Sequence, residues 1–307
     1  MIASDMSGNR PPLVVIAGPT ASGKSALALS IAERHGGTII NADASQVYAD
    51  LAILSARPSA EEERRVPHRL YGVMDGSLAC TAAHWAGLAR AEIAACHAAG
   101  RLPVLVGGTG LYLRTLLDGI APVPPVDMAI RAAVRALPIK DLRAALEADD
   151  AVMAARLHPN DPQRMARALE VVRATGRSLA AWQAAPDSGG IGDDVALCGR
   201  VVEPDRALLH SRIDARVDAM WAAGALEEVR RLQARGLAES LPVMRAIGVP
   251  PLLALLDGRM RESEALERWK LDTRRYAKRQ STWMRNQLGG WDRGEPVDYD
   301  RDTKKLV

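Results

Sequence analysis

The sequence contains no phenylalanine, and aromatic residues make up only 4% of its 307 positions. Its core must therefore rest on aliphatic side chains and methionine, and a hydrophobic content of 48% is enough for a large one. The sequence also lacks any stretch approaching the roughly 20 consecutive apolar residues that a membrane-spanning helix requires. These features predict a soluble protein with one large domain, or a core domain and a smaller companion, and no membrane partner.

Cysteine is scarce, with three residues at Cys80, Cys96 and Cys198. Their odd number and wide spacing predict neither a disulfide framework nor a zinc site, which is typical of a reducing compartment. The first residues are polar and lack the apolar middle region of a secretory signal. We therefore expect a cytoplasmic protein in which residues 1–11 form a disordered start.

The net charge is only +3, and the basic excess is concentrated near the C-terminus. Between Arg268 and Arg285, seven basic residues stand against a single acidic one, Asp272. Such a stretch on a helix is usually a solvated face, but a nucleic-acid-binding surface has the same composition. Both interpretations stay open at this point.

Apolar segments of strand length alternate with helical patterns in the first third of the chain. Residues 13–17, 38–40 and 102–106 are apolar and rich in β-branched side chains, as in strands that are buried on both faces. Residues 25–35 and 82–99 carry the helical periodicity between them. This alternation predicts an α/β fold with a doubly wound parallel sheet.

The pattern changes after Gly119. Three prolines within residues 122–125 indicate a linker, and short helical patterns then continue to about residue 182. One of these helices is predicted to begin at Asp161-Pro162 and to end at Gly176.

A return to the core is predicted next, with a strand at residues 195–202 and two long amphipathic helices, the first of which has a candidate break at Gly224. We therefore predict a first core segment at residues 1–121, an inserted all-helical domain at residues 122–194, and a second core segment with basic C-terminal helices at residues 195–307.

A glycine-rich segment lies between the first predicted strand and the first helix. It has the P-loop pattern of glycine, four residues and Gly-Lys-Ser, in the structural context that this motif requires. In such a loop the backbone amides and the helix N-terminus surround a diphosphate or triphosphate, the lysine adds a cation, and the serine hydroxyl binds Mg²⁺. The predicted phosphate-binding residues are Gly18, Pro19, Thr20, Ala21, Ser22, Gly23, Lys24 and Ser25, with Ser25 holding Mg²⁺ through the diphosphate.

The P-loop does not by itself define the reaction. The strand at residues 102–106 continues into Gly107-Gly108-Thr109-Gly110 without the acidic residue of ATP-hydrolysing motors and GTPases, and the sequence has no Asn-Lys-x-Asp guanine reader. Asp43 follows the second predicted strand, at the sheet edge that also carries the P-loop, where a carboxylate can accept a proton from a nucleophile. The predicted catalytic residues are Asp43, Thr109 and Lys24.

In combination these motifs resemble the tRNA dimethylallyltransferase family, also called tRNA isopentenyltransferase. The matching segments are distributed along nearly the whole chain: residues 18–25, 41–48, 56–58, 66–68, 106–112, 163–170 and 273–283. The resemblance implies a P-loop NTPase-like core with an inserted helical domain that clamps the anticodon loop. It also implies transfer of a dimethylallyl group from dimethylallyl diphosphate to the exocyclic amine of the adenosine immediately 3′ of the tRNA anticodon.

The same resemblance implies roles for individual residues. The P-loop would hold the allylic diphosphate with Mg²⁺, Asp43 would be the general base, and Thr109 would position the reacting groups. The residues implied to contact tRNA are Asp43, Ala44, Ser45, Gln46, Thr109, Arg131, Gln163, Arg164, Met165, Ala166 and Arg167. Arg274 and Lys278, which share a face of the basic C-terminal helix, are candidates for contacts with phosphates. The implied partner is the anticodon stem-loop, and we expect the enzyme to be a monomer.

Two segments depart from the family pattern. The family usually has Asp-Ser where this sequence has Asp43-Ala44, so the hydroxyl expected beside the base is missing at position 44. Residues 53–55 read Ile-Leu-Ser instead of the usual Ile-Gly-Thr, and the sequence suggests no role for the change. Trp269, Tyr276 and Trp283 fall on one helix face and are predicted to pack in the core rather than to stack on bases.

Three other functions fit parts of the pattern. A P-loop kinase for a small metabolite would use Asp43 as base but would leave the insert unexplained. A prenyltransferase acting on free adenine nucleotides would share the phosphate site and the base without needing an RNA clamp. An RNA-binding module that senses nucleotide would need no base.

Overall fold

The computed structural model describes residues 10–185 and 188–295. Most of the expected disordered start, residues 1–11, lies outside this part of the chain. The described residues form two compact units, one made of those up to Leu117 and from Ile191 onward, and the other of Asp118–Gly190. We call them the core unit and the inserted unit.

A six-stranded parallel sheet forms the centre of the core unit, in the order β3-β2-β4-β1-β7-β8. Its strands are β1 (Pro12–Ala17), β2 (Thr38–Asn41), β3 (His68–Arg69), β4 (Pro103–Gly107), β7 (Ala196–Val202) and β8 (Asp292–Gly294). The two strands missing from this series, β5 (Gly119–Ile120) and β6 (Ser188–Gly189), belong to the inserted unit.

The central strands follow the apolar sequence pattern. All five residues of β1 after Pro12 are buried, and Val14 lies opposite Val104 of β4 and Cys198 of β7. The predicted strands at 13–17, 38–40, 102–106 and 195–202 are therefore confirmed. The edge strands β3 and β8 have two and three residues and are largely polar, so no apolar run announces them.

The core unit contains eight α-helices among its described residues. They are α1 (Lys24–Arg34), α2 (Ala60–Arg65), α3 (Ala82–Ala98), α4 (Gly110–Leu117), α10 (Arg206–Ala222), α11 (Ala225–Ala234), α12 (Val249–Leu256) and α13 (Glu262–Gln287). Gly224, with φ near +97°, separates α10 from α11, which confirms the predicted break. A short 3₁₀ turn covers Val243–Arg245.

Helices cover both faces of the sheet, as a doubly wound fold requires. Leu13 and Val15 of β1 face the larger apolar cluster, which includes side chains from α3, α4 and α11 to α13. Val14 and Ile16 face the opposite cluster, to which α1 contributes. The alternation of β1 side chains between two apolar clusters explains why this strand has no polar positions.

The inserted unit is built mainly from helices. They are α5 (Met128–Arg135), α6 (Ile139–Asp149), α7 (Ala151–Arg156), α8 (Pro162–Thr175) and α9 (Leu179–Gln183). The predicted start of α8 is confirmed: Asp161 accepts a hydrogen bond from the Arg164 amide at 3.1 Å, and Gly176 ends the helix with φ near +66°.

Two details of the inserted unit differ from the sequence prediction. The unit is not all-helical, because β5 and β6 pair in antiparallel fashion near its two ends. It covers Asp118–Gly190 rather than residues 122–194, since this strand pair lies on the insert's side of each boundary. Two-residue strands containing glycine carry no readable alternation, so the sequence could not reveal them.

Among the described residues of both units, no helix is long and apolar enough to cross a bilayer.

Candidate active site

The P-loop connects β1 to α1 through a turn that excludes larger residues at its start. A Cβ atom on Gly18 would lie 2.6 Å from Ser22 Oγ and 2.9 Å from the Val202 carbonyl oxygen. Gly23 has φ near +94° and forms the N-cap of α1. The loop therefore lies at a helix N-terminus, where free backbone amides and the helix dipole favour an anion.

The loop after β2 positions Asp43 through the buried side chain of Asn41. The side-chain oxygen Oδ1 of Asn41 accepts from the backbone amide of Asp43 at 2.8 Å. Its side-chain nitrogen Nδ2 donates to the backbone carbonyl oxygens of Asp43 and Leu70 at 3.0 Å each. Asp43 Oδ1 in turn accepts from the amide and hydroxyl of Ser45, at 3.0 and 2.6 Å. Ser45 thus supplies a hydroxyl to the carboxylate although position 44 is alanine.

Thr109 joins the loop after β4 to this same segment. Its Oγ1 accepts from the Ala44 amide at 2.9 Å, and its own amide donates to the Ala42 carbonyl at 3.3 Å. A Cβ on Gly107 would lie 2.1 Å from the Ala42 carbonyl oxygen, so only glycine allows this approach. The Thr109 side chain is also hydrogen-bonded to Tyr276 of α13, so it connects this segment to the C-terminal helix.

Two cations face Asp43 from different parts of the chain. The pKa of Lys24 is lowered to about 8, chiefly by burial, while Asp43 acts to raise it and Arg216 to lower it. Burial also lowers the pKa of Arg216, which lies on α10, and the charge of Asp43 opposes that effect. Arg216 could not be identified from the sequence, because α10 carries several arginines and its pattern does not distinguish the one that lines the cavities.

Gln280 of α13 ties the P-loop to the loop after β4. Its Oε1 accepts from the Thr20 amide at 2.9 Å, and its Nε2 donates to the Gly108 carbonyl at 2.9 Å. A Cβ on Gly108 would lie 2.1 Å from that nitrogen. Gln280 lies within residues 273–283, the C-terminal segment that resembles the family, but its sequence position alone assigns it no role.

Two adjoining cavities share Thr20, Asp43, Ser55 and Arg216 in their walls. The first, of about 260 Å³, is lined on its polar side by Lys24, Ser25, Gln46, Arg57 and Glu62. The second, of about 310 Å³, has an apolar side made of Leu51, Leu54, Val217, Met220, Ile247 and Trp269. Asp43 thus lies between a cavity with cationic side chains and a partly apolar one. A carboxylate in this position is suited to accept a proton from a nucleophile while an apolar group is transferred from a phosphate.

The three aromatic residues of α13 have different environments. Trp269 is 2% exposed, as predicted for a core residue. Trp283 packs over Gly110, where a Cβ would lie 2.3 Å from its ring. Tyr276, in contrast, lines the second cavity; burial and then the charge of Asp43 raise its pKa, and contact with the Thr109 side chain acts in the opposite direction. The core assignment of Tyr276 is therefore corrected.

The predicted tRNA-contact residues Arg131 and Gln163 to Arg167 belong to the inserted unit. Met165 is fully buried in the core of the inserted unit, so its assignment to tRNA contact is corrected: its side chain has no exposed surface. Arg131 and Arg167 lie 3.8 Å from the buried carboxylate of Glu170. Gln163 and Arg164 are exposed and Ala166 is half-buried.

On α13 of the core unit, the two predicted phosphate contacts differ. Arg274 Nη1 donates to both carboxylate oxygens of Asp214, at 2.8 Å each. Lys278 is exposed and lines a groove with Arg206, Arg275 and Arg285.

A parallel sheet with a P-loop after β1, and with Asp43 after β2 lining two cavities, is a P-loop NTPase-like core whose cavity walls suit the transfer of a group from a phosphate. The sequence model described as IPP transferase matches residues 46–287. This chain belongs to the IPP transferase family.

Curated relatives and solved structures agree with this assignment. The tRNA dimethylallyltransferase of Sphingopyxis alaskensis is 60% identical over 90% of both chains, and that of Erythrobacter litoralis is 53% identical over 95% of this chain and 94% of its own. The tRNA isopentenylpyrophosphate transferase structure of Bacillus halodurans has a TM-score of 0.68 and 34% identity, covering 97% of this chain and 94% of its own. A eukaryotic dimethylallyltransferase acting on tRNA has a TM-score of 0.79 and 25% identity, with 96% and 76% coverage.

Proposed function

We propose that this protein transfers a dimethylallyl group from dimethylallyl diphosphate to the exocyclic amine of the adenosine 3′ of the anticodon in tRNA. The amine nitrogen forms a bond to C1 of the dimethylallyl group. The bond from C1 to the diphosphate oxygen breaks, and its electron pair leaves with pyrophosphate. The proton released from the nitrogen passes to Asp43, so the products are N6-dimethylallyladenosine in tRNA and pyrophosphate.

The position of Asp43 is the observation that carries this proposal. Asp43 lines the wall shared by both cavities; its carboxylate accepts from the Ser45 hydroxyl, and its backbone amide donates to the Asn41 side chain. Thr109, whose Oγ1 accepts from the amide of Ala44 next to Asp43, would position the reacting groups. A base between donor and acceptor is the arrangement that amine alkylation needs.

The leaving group would be held by the P-loop, Lys24 and Arg216. Their positive charges stabilise the negative charge that builds on pyrophosphate as the bond to C1 breaks. Both side chains, with Arg57, line the cavity beside the P-loop.

Mg²⁺ is the proposed cofactor. Ser25 is an exposed hydroxyl lining the same cavity, and hydroxyl and diphosphate oxygens are the ligands that Mg²⁺ prefers. The described residues contain no cluster of three acidic, histidine or cysteine side chains that could hold a metal without the diphosphate. Ser25 would therefore hold the ion jointly with the donor, and the ion would neutralise diphosphate charge.

The tRNA contacts remain proposals of differing support. Gln163 and Arg164 are exposed and suited to an RNA surface. The Gln46 amide group donates to the Ser55 and Ala56 carbonyls, at 2.9 and 2.8 Å, which assigns it chiefly to holding the cavity wall. The monomeric state and the cytoplasmic location also stay predictions.

The kinase, free-nucleotide and RNA-sensor readings have less support. Curated relatives at 53–60% identity carry the tRNA dimethylallyltransferase name over most of the chain. ATP would compete for the P-loop without being consumed, since its phosphates offer the same oxygens to the backbone amides.

The test is incubation of the full chain with dimethylallyl diphosphate, Mg²⁺ and an anticodon stem-loop RNA, followed by digestion to nucleosides and mass spectrometry. Prenylated adenosine with equimolar pyrophosphate is expected. Comparable rates on free AMP, ADP or ATP would contradict the tRNA assignment, and ADP released in step with product from labelled ATP would favour a kinase.

A further inference from the structure

The apolar side of the second cavity includes a residue, Leu54, whose backbone and side chain are both held by other parts of the fold. Leu51 and Val217 lie deep in the wall at 0% and 2% exposure, whereas Leu54 retains 8%. Met220 also reaches the cavity, but its unbranched thioether chain adapts to its surroundings. Leu54 and the half-buried Ile247 are therefore the branched aliphatic side chains of this wall that a bound apolar group would meet, and the contacts of Leu54 fix its position.

The backbone of Leu54 is held by a buried carboxylate from a distant helix. Glu228 of α11 is 4% exposed. Its Oε1 accepts from the amides of Ala52 and Ile53, at 2.7 and 2.9 Å, and its Oε2 accepts from the amide of Leu54 at 2.8 Å. Three hydrogen bonds from backbone amides to one buried carboxylate fix this segment more firmly than bonds to a neutral acceptor would.

The side chain of Leu54 is confined from behind. A Cβ on Gly248 would lie 2.9 Å from Leu54 Cδ2 and 2.7 Å from the Trp269 ring. Gly248 also has φ near +96°, which disfavours any larger residue. The Gly248 backbone thus lies directly behind the Leu54 side chain and limits how far that side chain can move away from a longer ligand.

We propose that Leu54 limits the donor to a five-carbon chain, and that Glu228 is the positioning residue that keeps Leu54 in place. The inference rests on the proposed function, in which the P-loop holds the diphosphate and the allyl group extends past Asp43. A ten-carbon geranyl chain anchored at the same diphosphate would extend further, into the apolar side of the second cavity, and meet Leu54.

The experiment is a competition between dimethylallyl diphosphate and geranyl diphosphate for one anticodon stem-loop RNA, with the full chain and Mg²⁺. The measured quantity is the ratio of kcat/KM for the two donors, obtained from the relative amounts of the two modified nucleosides, which their masses distinguish. Leu54→Ala is expected to shift this ratio towards geranyl by at least about tenfold, since small changes in an apolar pocket have effects of that size.

Leu232→Ala is the matched control, because it removes the same atoms from a buried leucine of α11 that does not line the cavity. It should leave the ratio at the wild-type value. Leu54→Val trims less and should shift the ratio in the same direction by a smaller factor, which keeps the test decisive if the alanine variant does not fold.

Glu228→Gln tests the positioning role with almost no change in volume. A glutamine places a donor where one carboxylate oxygen accepted, so a backbone amide of the 52–54 segment loses its partner. The donor ratio should shift towards geranyl, and Glu228→Asp should restore it in part. A purely structural role would lower stability and leave the ratio unchanged.

An unchanged ratio in an active, folded Leu54→Ala enzyme would overturn the inference and leave the proposed function intact. A higher KM for the RNA with no change in the donor ratio would do the same, since it would place the adenine at Leu54. A wild-type protein that makes no product from dimethylallyl diphosphate would overturn the proposed function and this inference with it.

Discussion

The core unit and the inserted unit both gather arginine and lysine around a carboxylate, but with opposite consequences. In the core unit, Lys24 and Arg216 face Asp43 in the walls of open cavities, and burial lowers the pKa of both cations. In the inserted unit, Arg131, Arg135 and Arg167 lie within 2.9 to 3.8 Å of Glu170, which is 1% exposed.

The difference lies in what the carboxylate and its cations can reach. Glu170 is enclosed by its arginines and has little access to a ligand, so this cluster stabilises the fold of the inserted unit. Asp43 and its cations line space that a diphosphate and an amine can enter, and the cost of their burial is offset when those ligands bind. A similar set of charges thus stabilises the fold in the inserted unit and is available to ligands in the core unit.

The largest effect should come from Asp43→Asn, which removes the proposed proton acceptor and nearly preserves the shape of the side chain. The single-turnover rate should fall by about 10²–10⁴, the usual contribution of a general base, with tRNA affinity nearly unchanged. Asp75→Asn, a change of an exposed acid outside both cavities, is the control. A variant that keeps more than roughly a tenth of the wild-type rate would place the base elsewhere.

Lys24→Met should weaken pyrophosphate binding by about ten- to a hundredfold, because a charge-assisted contact is lost. The wild-type protein should also bind pyrophosphate less tightly as pH rises above about 8, where Lys24 loses its proton in the free enzyme. The expected slope approaches about tenfold per pH unit. Titration calorimetry of both proteins from pH 7 to 9.5 separates this effect from the ionisation of pyrophosphate, which the variant shares; parallel pH profiles would contradict it.

Glu170→Gln should destabilise the inserted unit by about 1–3 kcal/mol, since charged hydrogen bonds are lost while the arginines remain partly solvated. The hydrogen exchange of amides in α8 should become faster, and pyrophosphate affinity should not change. A loss of pyrophosphate binding without faster exchange in α8 would break the contrast between the two carboxylates.

The smallest effect should distinguish Arg164 from Arg167, the two arginines of α8 that the sequence predicted to contact tRNA. Arg164 is exposed, with Asp161 at 3.4 Å, so Arg164→Ala should reduce the salt dependence of tRNA binding by roughly 0.7 in slope at nearly constant stability. Arg167→Ala should instead lower the stability of α8. Arg173→Ala, a change of another partly exposed arginine of this helix, is the control. An unchanged salt slope for Arg164→Ala would remove the inserted unit's proposed role in RNA binding.

The features that depend on a few adjacent residues could be predicted from the sequence. The strands buried on both faces have uninterrupted apolar segments, and the P-loop combines a fixed spacing with a strand before it and a helix after it. Asp43 and Thr109 could be placed with them because parallel strands present their carboxyl ends at one edge of a sheet. The caps of α8 and the break at Gly224 were equally visible, since each depends on a few adjacent residues.

Tertiary structure alone decided which distant side chains complete the site. Arg216, Glu228 and Gln280 lie on long polar helices whose periodicity shows that a face is polar, but not which of its residues points at a loop some 170 to 260 positions away. The edge strands β3 and β8 could not be predicted, because they form through hydrogen bonds to a neighbouring strand and carry no apolar pattern. Leu54 became part of a cavity wall only through the packing of segments that have no sequence signal for one another.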